Sequence, residues 1–286
     1  MNIQAAFTYI TNTIAPVYEP REAAGIAHLL LEHITGLNKL DRIVYKDKML
    51  EPAQQSQLEQ GVAALLQHQP IQYITGTAWF YDMELLVNPE VLIPRPETAG
   101  LVEWIVNDAQ VKHIKLLDIG TGSGCIPLAV KKALPASEAW GIDVSAGALT
   151  IAKANASRQQ LDVHFTQVNV LDDAATAALP AFDIIVSNPP YIRQSERIGM
   201  QQQVLDYEPA LALFVPDEDA LLFYRRITQL ALRKLQPGGA LYFEINEALG
   251  PEVVQLVEKA GFANVQLRQD LYGKDRMVKG AYLPNV

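Results

Sequence analysis

Up to about residue 70 the apolar positions recur at three- and four-residue steps. Ala23, Ile26, Ala27, Leu30 and Leu31 form one such segment, and Leu58, Val62, Leu65 and Leu66 form another. This is the spacing of helices that each bury one face. Pro20 and Pro52 stand at predicted helix starts, where a missing N–H breaks no helical hydrogen bond, and Gly36 suits a helix end. A short polar connection lies between the two segments. From Trp79 to Val87 aromatic and β-branched residues take over, followed by Asn88-Pro89 and Ile93-Pro94-Arg95-Pro96-Glu97-Thr98. That stretch predicts a hairpin and an extended connector, because residues before proline are pushed out of the helical region.

The pattern then changes. After a helix predicted from about Thr98 to Asn107, short apolar runs alternate with helical segments. The runs are Lys115 to Ile119, Ala139 to Val144, Val163 to Val170, Phe182 to Val186 and Ala240 to Ile245. Such alternation predicts a parallel sheet with helices on both faces. Two further runs, Val265 to Leu267 and Met277 to Leu283, lie too close together for a parallel crossover, so the last strand should run antiparallel to its neighbour. The expected organisation is a helical domain over 1–74, a hairpin and connector over 75–97, and an α/β domain over 98–286.

Composition narrows the function. Of 286 residues, 49% are hydrophobic and 19% charged, so a sizeable core can form. The formal charge is -9, and the residues up to Val87 hold five Lys or Arg against nine Asp or Glu. This balance weighs against a surface built to neutralise a phosphate backbone. One cysteine makes no intramolecular disulfide, and the five histidines lack metal-ligand spacing, so no metal site is expected. No basic start precedes an apolar run, and no stretch approaches the ~18 apolar residues of a membrane span. A cytoplasmic protein without membrane attachment is expected, with nucleic acid an unlikely partner.

Two loops carry candidate chemistry. The first is Asp118-Ile119-Gly120-Thr121-Gly122-Ser123-Gly124, between a strand and a helix beginning near Ile126. Glycines there let the backbone turn tightly and approach a ligand in front of a helix N-terminus. A dinucleotide fingerprint needs a third glycine at the sixth place, which Cys125 or Pro127 occupies instead. Asp143 ends the next apolar run, nineteen residues past Gly124, where a carboxylate can accept both hydroxyls of a ribose. The extra negative charge of Asp118 suits an ammonium group on the same adenosine-bearing ligand. Cys125 has no paired base and reads as a small loop residue.

The second loop is Ser187-Asn188-Pro189-Pro190-Tyr191, after the fourth strand. Two prolines end the strand and remove two backbone donors, leaving carbonyls without ladder partners. The Asn188 side-chain oxygen and the Pro189 carbonyl can accept both hydrogens of one planar NH2 group, with the Tyr191 ring against its plane. An amide or an exocyclic amine fits that description.

In this order the motifs resemble those of S-adenosylmethionine-dependent amino-methyltransferases with the class I fold, a Rossmann-like seven-stranded mostly parallel sheet. Within that group the chain is similar to the protein-(glutamine-N5) methyltransferases of the HemK/PrmC type, which methylate the glutamine of the Gly-Gly-Gln motif of class I peptide chain release factors. The resemblance spans nearly the whole chain. It includes the small N-terminal helical domain, Ile93-Pro94-Arg95-Pro96-Glu97-Thr98, Asn188-Pro189-Pro190-Tyr191-Ile192, Tyr207-Glu208-Pro209-Ala210-Leu211, Phe223-Tyr224-Arg225 and Asp270-x-x-Gly273-x-x-Arg276. It implies S-adenosyl-L-methionine as cofactor, held by Asp118, Gly120, Thr121, Gly122, Ser123, Gly124, Asp143, Asn169, Val170 and Asn188. It further implies Asn188, Pro189 and Tyr191 as catalytic residues, with Pro190 completing the substrate cradle. Because Gly-Gly-Gln is too short to identify a release factor, the helical domain is expected to dock the factor; a structural cap over the hairpin is the alternative reading. Ala99 stands where the family usually has Glu, and Asn169 where it has Asp. Glu244-Ile245-Asn246 replaces a more glycine-rich pattern.

Three other readings use the same residues. Enzymes that methylate a glutamine of a ribosomal protein share Asn-Pro-Pro-Tyr but resemble the Pro-Arg-Pro-Glu-Thr stretch less well. An adenine-N6 methyltransferase acting on nucleic acid would want a basic groove and a target-recognition domain. A binding protein without turnover would have no need of the full cradle.

Overall fold

Pro20 and Pro52 occupy first positions of two helices, and Gly36, at φ 67°, ends the first of them in the left-handed region that favours glycine. These are α2 (Pro20–Thr35) and α4 (Pro52–Leu66), the two helices expected from the spacing. The computed structural model describes residues 1–109 and 113–284, so 110–112 and 285–286 of the expected α/β segment lie outside the described residues. Beside α2 and α4 stand α1 (Ile3–Ile14), α3 (Lys39–Val44) and α5 (Ile71–Thr75). The first has the same apolar rhythm, with Ile3, Ala6, Ile10 and Ile14 all buried, and the Asn2 side chain caps it by accepting from the Ala5 N–H at 2.8 Å. The polar connection proves to contain α3, capped by Asn38 in the same way. That helix buries only Arg42, and its apolar Leu40, Ile43 and Val44 face solvent. Met1–Thr77 together with Gln201–Tyr207 form one compact unit; Ala78–Met200 and Glu208–Val286 form the other.

The second unit is built on seven strands: β1 (Lys115–Ile119), β2 (Glu138–Asp143), β3 (Val163–Gln167), β4 (Phe182–Ser187), β5 (Leu235–Glu244), β6 (Ala263–Gln269) and β7 (Asp275–Ala281). They lie side by side as β3-β2-β1-β4-β5-β7-β6. The first five pair in parallel, and β7 runs antiparallel to both β5 and β6, as the short final connection required. β5 starts five residues before the expected Ala240. Its early part carries Pro237-Gly238-Gly239 past β4 through a register shift, and a Cβ on Gly239 would stand 2.7 Å from the Asp183 carbonyl oxygen.

Both faces of the sheet are covered. One buries Leu101, Trp104 and Ile105 of α6 (Pro96–Asp108) with Leu128 of α7 (Cys125–Ala133) over Leu116, Ile184 and Tyr242. The other buries Leu117, Ile142, Ile185 and Phe243 under the helices Leu222–Lys234 and Gly250–Lys259. The hairpin Thr77–Phe80 and Met83–Leu86 turns through Tyr81 and Asp82, both at positive φ, a backbone hand that matches strand twist. Strand order reverses at β1, whose neighbours β2 and β4 leave in opposite directions. In such sheets ligands bind beyond the carboxyl ends of the strands at that point.

Candidate active site

Parallel register brings Ile119, Asp143 and Ser187 to one edge of the sheet, because Ile119 pairs with Ile142 on one side and Ser187 on the other. Beyond β1 the chain turns sharply: Gly120 and Thr121 both donate to the Ile142 carbonyl, at 2.9 and 3.0 Å. Gly120 and Gly122 have φ of 74° and 52°, and a Cβ on either would meet nothing within 4 Å. Backbone hand therefore selects glycine there, and the open side leaves room for a ligand. Gly124, at φ 79°, differs because its open side faces the Phe165 ring and Leu128.

Asp143 organises the loop. One carboxylate oxygen accepts from the Gly122 N–H at 2.9 Å and the other from the Ser145 N–H at 2.9 Å, at the start of α8 (Ala146–Gln159). Each oxygen keeps a further lone pair for a ligand hydroxyl. Asn155, fully buried on α8, donates to the Ser123 carbonyl at 2.9 Å and pairs with both backbone groups of Leu86, tying the loop to the hairpin.

A cavity of about 330 Å³ opens over this edge. Its wall brings together the predicted Gly120, Gly122, Asp143, Asn169, Val170, Asn188, Pro189 and Pro190. Asn169 reaches it with its side-chain oxygen already accepting from the Leu171 N–H at 3.0 Å. Asp118, Thr121, Ser123, Gly124 and Tyr191 do not line it. The first four are buried behind the wall. Among the described residues no well-aligned hydrogen bond reaches either Asp118 oxygen or the Thr121 and Ser123 hydroxyls, although the Thr121 hydroxyl lies close enough to Asp118 to act on its charge. Burial, which the neighbouring Thr121 hydroxyl only partly offsets and the charge of Asp143 reinforces, pushes the Asp118 carboxyl up to about 7. Burial and the nearby Asp118 likewise push the half-buried Cys125 thiol up to about 12, which leaves it unreactive.

Residues 97–207 match the family model of the methyltransferase small domain, and residues 6–76 that of the PrmC N-terminal domain. The release factor glutamine methyltransferase of Flavobacterium psychrophilum is 44% identical over 276 residues, covering 95% of this chain and 96% of that protein. The chain belongs to the release factor glutamine methyltransferase family. The enzyme of that name from Bacteroides thetaiotaomicron is 42% identical, over 94% of this chain and 96% of its own. Among solved structures, a methyltransferase from Pyrococcus furiosus superposes with a TM-score of 0.51 at 16% identity, over 82% of this chain and 100% of that one. The Thermus thermophilus 16S rRNA N2 G1207 methyltransferase, in complex with AdoMet and guanosine, gives 0.51 at 18%, over 72% and 49%. These likenesses show the class I methyltransferase fold.

For a member of this family the remaining wall is informative. Glu90, Leu92, Ala210, Leu211 and Phe223 also line the cavity, although the sequence reading gave them no role. Ala210, Leu211 and Phe223 carry a signal, since Pro209-Ala210-Leu211 and Phe223-Tyr224-Arg225 are among the motifs that carry the resemblance, whereas Glu90 and Leu92 belong to none of them. Glu208 holds the connector in place: buried, it accepts from the Ile93 N–H at 3.3 Å and pairs with Arg95 at 2.6 Å. At the cradle, the Asn188 amide nitrogen lies 3.4 Å from the Thr98 hydroxyl, and no described residue donates to its oxygen or to the Pro189 carbonyl. Tyr191 packs instead against the core cluster, where burial and the charge of Glu244 raise its phenol far above the usual range.

Proposed function

We infer that this protein transfers the methyl group of S-adenosylmethionine to the side-chain amide nitrogen of the glutamine in the Gly-Gly-Gln motif of a peptide chain release factor. The observation that carries this reading is one cavity whose wall joins a glycine loop and Asp143 to two unpaired acceptors at Asn188 and Pro189. Its family membership supports the substrate. The residues fit the cofactor: Gly120 and Gly122 leave open space, Asp143 has lone pairs for ribose hydroxyls, and Asp118 is a buried carboxyl beside the loop. When bound, the cofactor supplies an electrophilic sulfonium methyl.

The protein's part is geometry. An amide nitrogen is a poor nucleophile because its lone pair is delocalised into the carbonyl, so positioning must do the work that basicity cannot. The Asn188 oxygen and the Pro189 carbonyl would each accept one amide hydrogen, fixing the nitrogen's direction; orientation of this kind is worth up to about 7–11 kcal/mol in the best intramolecular cases. Among the described residues of the wall the ionisable groups are Glu90 and Asp143, with no His, Cys or Lys. No base is needed first, because the nitrogen's surplus proton becomes acidic once the new N–C bond forms. Mass spectrometry of a release factor incubated with methyl-labelled cofactor tests the assignment.

Gly-Gly-Gln is too short to identify a release factor, and the helical unit offers the additional contact. Leu40, Ile43 and Val44 of α3 are 73%, 63% and 74% exposed, an apolar group on an otherwise acidic module. Ile43→Asp with Val44→Asp is expected to raise KM for the intact factor about tenfold, the effect of losing a modest apolar contact, and to leave KM for a short Gly-Gly-Gln peptide unchanged. Equal KM for the intact factor would remove α3 from docking. The formal charge of -9 supports a protein substrate over nucleic acid, and the described residues contain no helix long and apolar enough to cross a membrane.

A further inference from the structure

Glu244 ends β5 in the stretch that departs from the family's glycine-rich pattern, and it is 2% exposed. The Thr98 hydroxyl, equally buried, donates to its Oε2 at 2.6 Å, and the Asn188 Nδ2 in turn donates to that hydroxyl at 3.4 Å. Thr98 has one hydroxyl proton. While Glu244 is a carboxylate it can only accept, so the proton points to Glu244 and the hydroxyl's lone pairs accept from Asn188. The asparagine is then held nitrogen-inward, with its oxygen left for the cavity. A protonated Glu244 could donate instead, turning the threonine proton toward Asn188 and favouring the flipped amide. That amide would present N–H where the substrate also presents N–H.

We propose that Glu244, acting through Thr98, is a positioning residue that sets which end of the Asn188 amide faces the substrate. This rests on the cradle reading of Asn188. The groups that surround Glu244 are Arg95 and Glu97 before and within α6, Cys125 on α7, Tyr191 after β4 and Arg276 on β7. Tyr224, on the helix Leu222–Lys234, donates to the Glu244 backbone carbonyl at 3.4 Å. Burial pushes the carboxyl up to about 7, outweighing the Thr98 hydroxyl, Arg276 and Arg95, which favour the carboxylate; Glu97 opposes it. The relay is therefore set near neutrality, with its working polarity above that pH.

The test compares Thr98→Val, Thr98→Ser and Glu244→Gln by kcat at saturating cofactor and release factor, with cofactor affinity measured separately by calorimetry. Valine keeps the shape and removes the hydroxyl, so kcat is expected to fall about 10- to 100-fold with cofactor affinity unchanged; serine restores most of it. In the wild type kcat falls as pH drops through about 7. Glu244→Gln, whose amide oxygen still accepts from Thr98 but takes up no proton, loses that acid limb. Wild-type kcat in Thr98→Val, no rescue by serine, or an acid limb that persists in Glu244→Gln would each overturn the relay. If Glu244→Gln fails to fold, the valine and serine variants decide the matter alone. Should Asn188→Ala itself keep full turnover, the cradle reading fails; if that variant is inactive while Thr98→Val is not, only the relay fails.

Discussion

Asn188→Ala is expected to lower kcat about 100- to 1,000-fold, the usual cost of removing one preorganised polar contact at a reacting centre, while calorimetric affinity for S-adenosylmethionine stays close to wild type. The separation follows from the two sets of contacts. Ribose-type contacts come from Asp143 at the end of β2, whose oxygens are fixed by the Gly122 and Ser145 N–H groups and owe nothing to Asn188. Asn188 follows β4, and no described residue donates to its oxygen. Truncation therefore leaves the Pro189 carbonyl alone to orient the substrate amide. Asn188→Asp keeps the shape and an acceptor and should recover part of the rate. Turnover near wild type in the alanine variant would show that the amide is held elsewhere.

Cofactor affinity should rise about tenfold per pH unit between about pH 5.5 and about pH 7, then level off. Burial, reinforced by the charge of Asp143 and only partly offset by the Thr121 hydroxyl, pushes the Asp118 carboxyl up to about 7, so the cofactor-free protein holds a proton there below that pH. A cationic amine bound nearby favours the carboxylate, so binding expels the proton and weakens as acidity rises. The sign for folding is the reverse. A carboxyl raised above its unfolded value, about 4 for Asp, adds stability that is full below that value and lost as pH rises through about 7. Asp118→Asn removes the titrating group, so its cofactor affinity should be weaker at neutral pH and flat with pH. Calorimetry in two buffers of different ionisation enthalpy would register proton release in the wild type alone. A pH-independent wild-type affinity would place the ammonium away from Asp118.

Local signals read well because they depend on few residues. Gly120, Gly122, Asp143, Asn169, Asn188 and Pro189 each sit at or just past a strand end that the apolar runs already marked, and parallel register alone gathers them on one cavity wall. Pairs distant in sequence did not show. Thr98 and Glu244 are 146 residues apart and Ile93 and Glu208 are 115 apart; only the packing of α6 against β5 and the path of the connector bring each pair together. Asn155 was invisible for the same reason, since a polar residue on a predicted helix gives no sign that it binds a hairpin and a glycine loop at once. Tyr191, expected from the motif to lie against the amide plane, packs partly buried against the core cluster and is not among the residues lining the cavity. The helix α3, six residues long, is too short for its apolar steps at Leu40, Ile43 and Val44 to stand out as a helical pattern.

The most direct test incubates the protein with methyl-labelled S-adenosylmethionine and, in parallel, a purified release factor, the same factor with its Gly-Gly-Gln glutamine replaced by alanine, and duplex DNA. Tandem mass spectrometry then locates the label. One methyl group on the side-chain nitrogen of that glutamine, absent from the alanine factor and from DNA, is the expected result. Label on DNA adenine, or on the release factor at any other residue with that glutamine unmodified, would contradict the assignment.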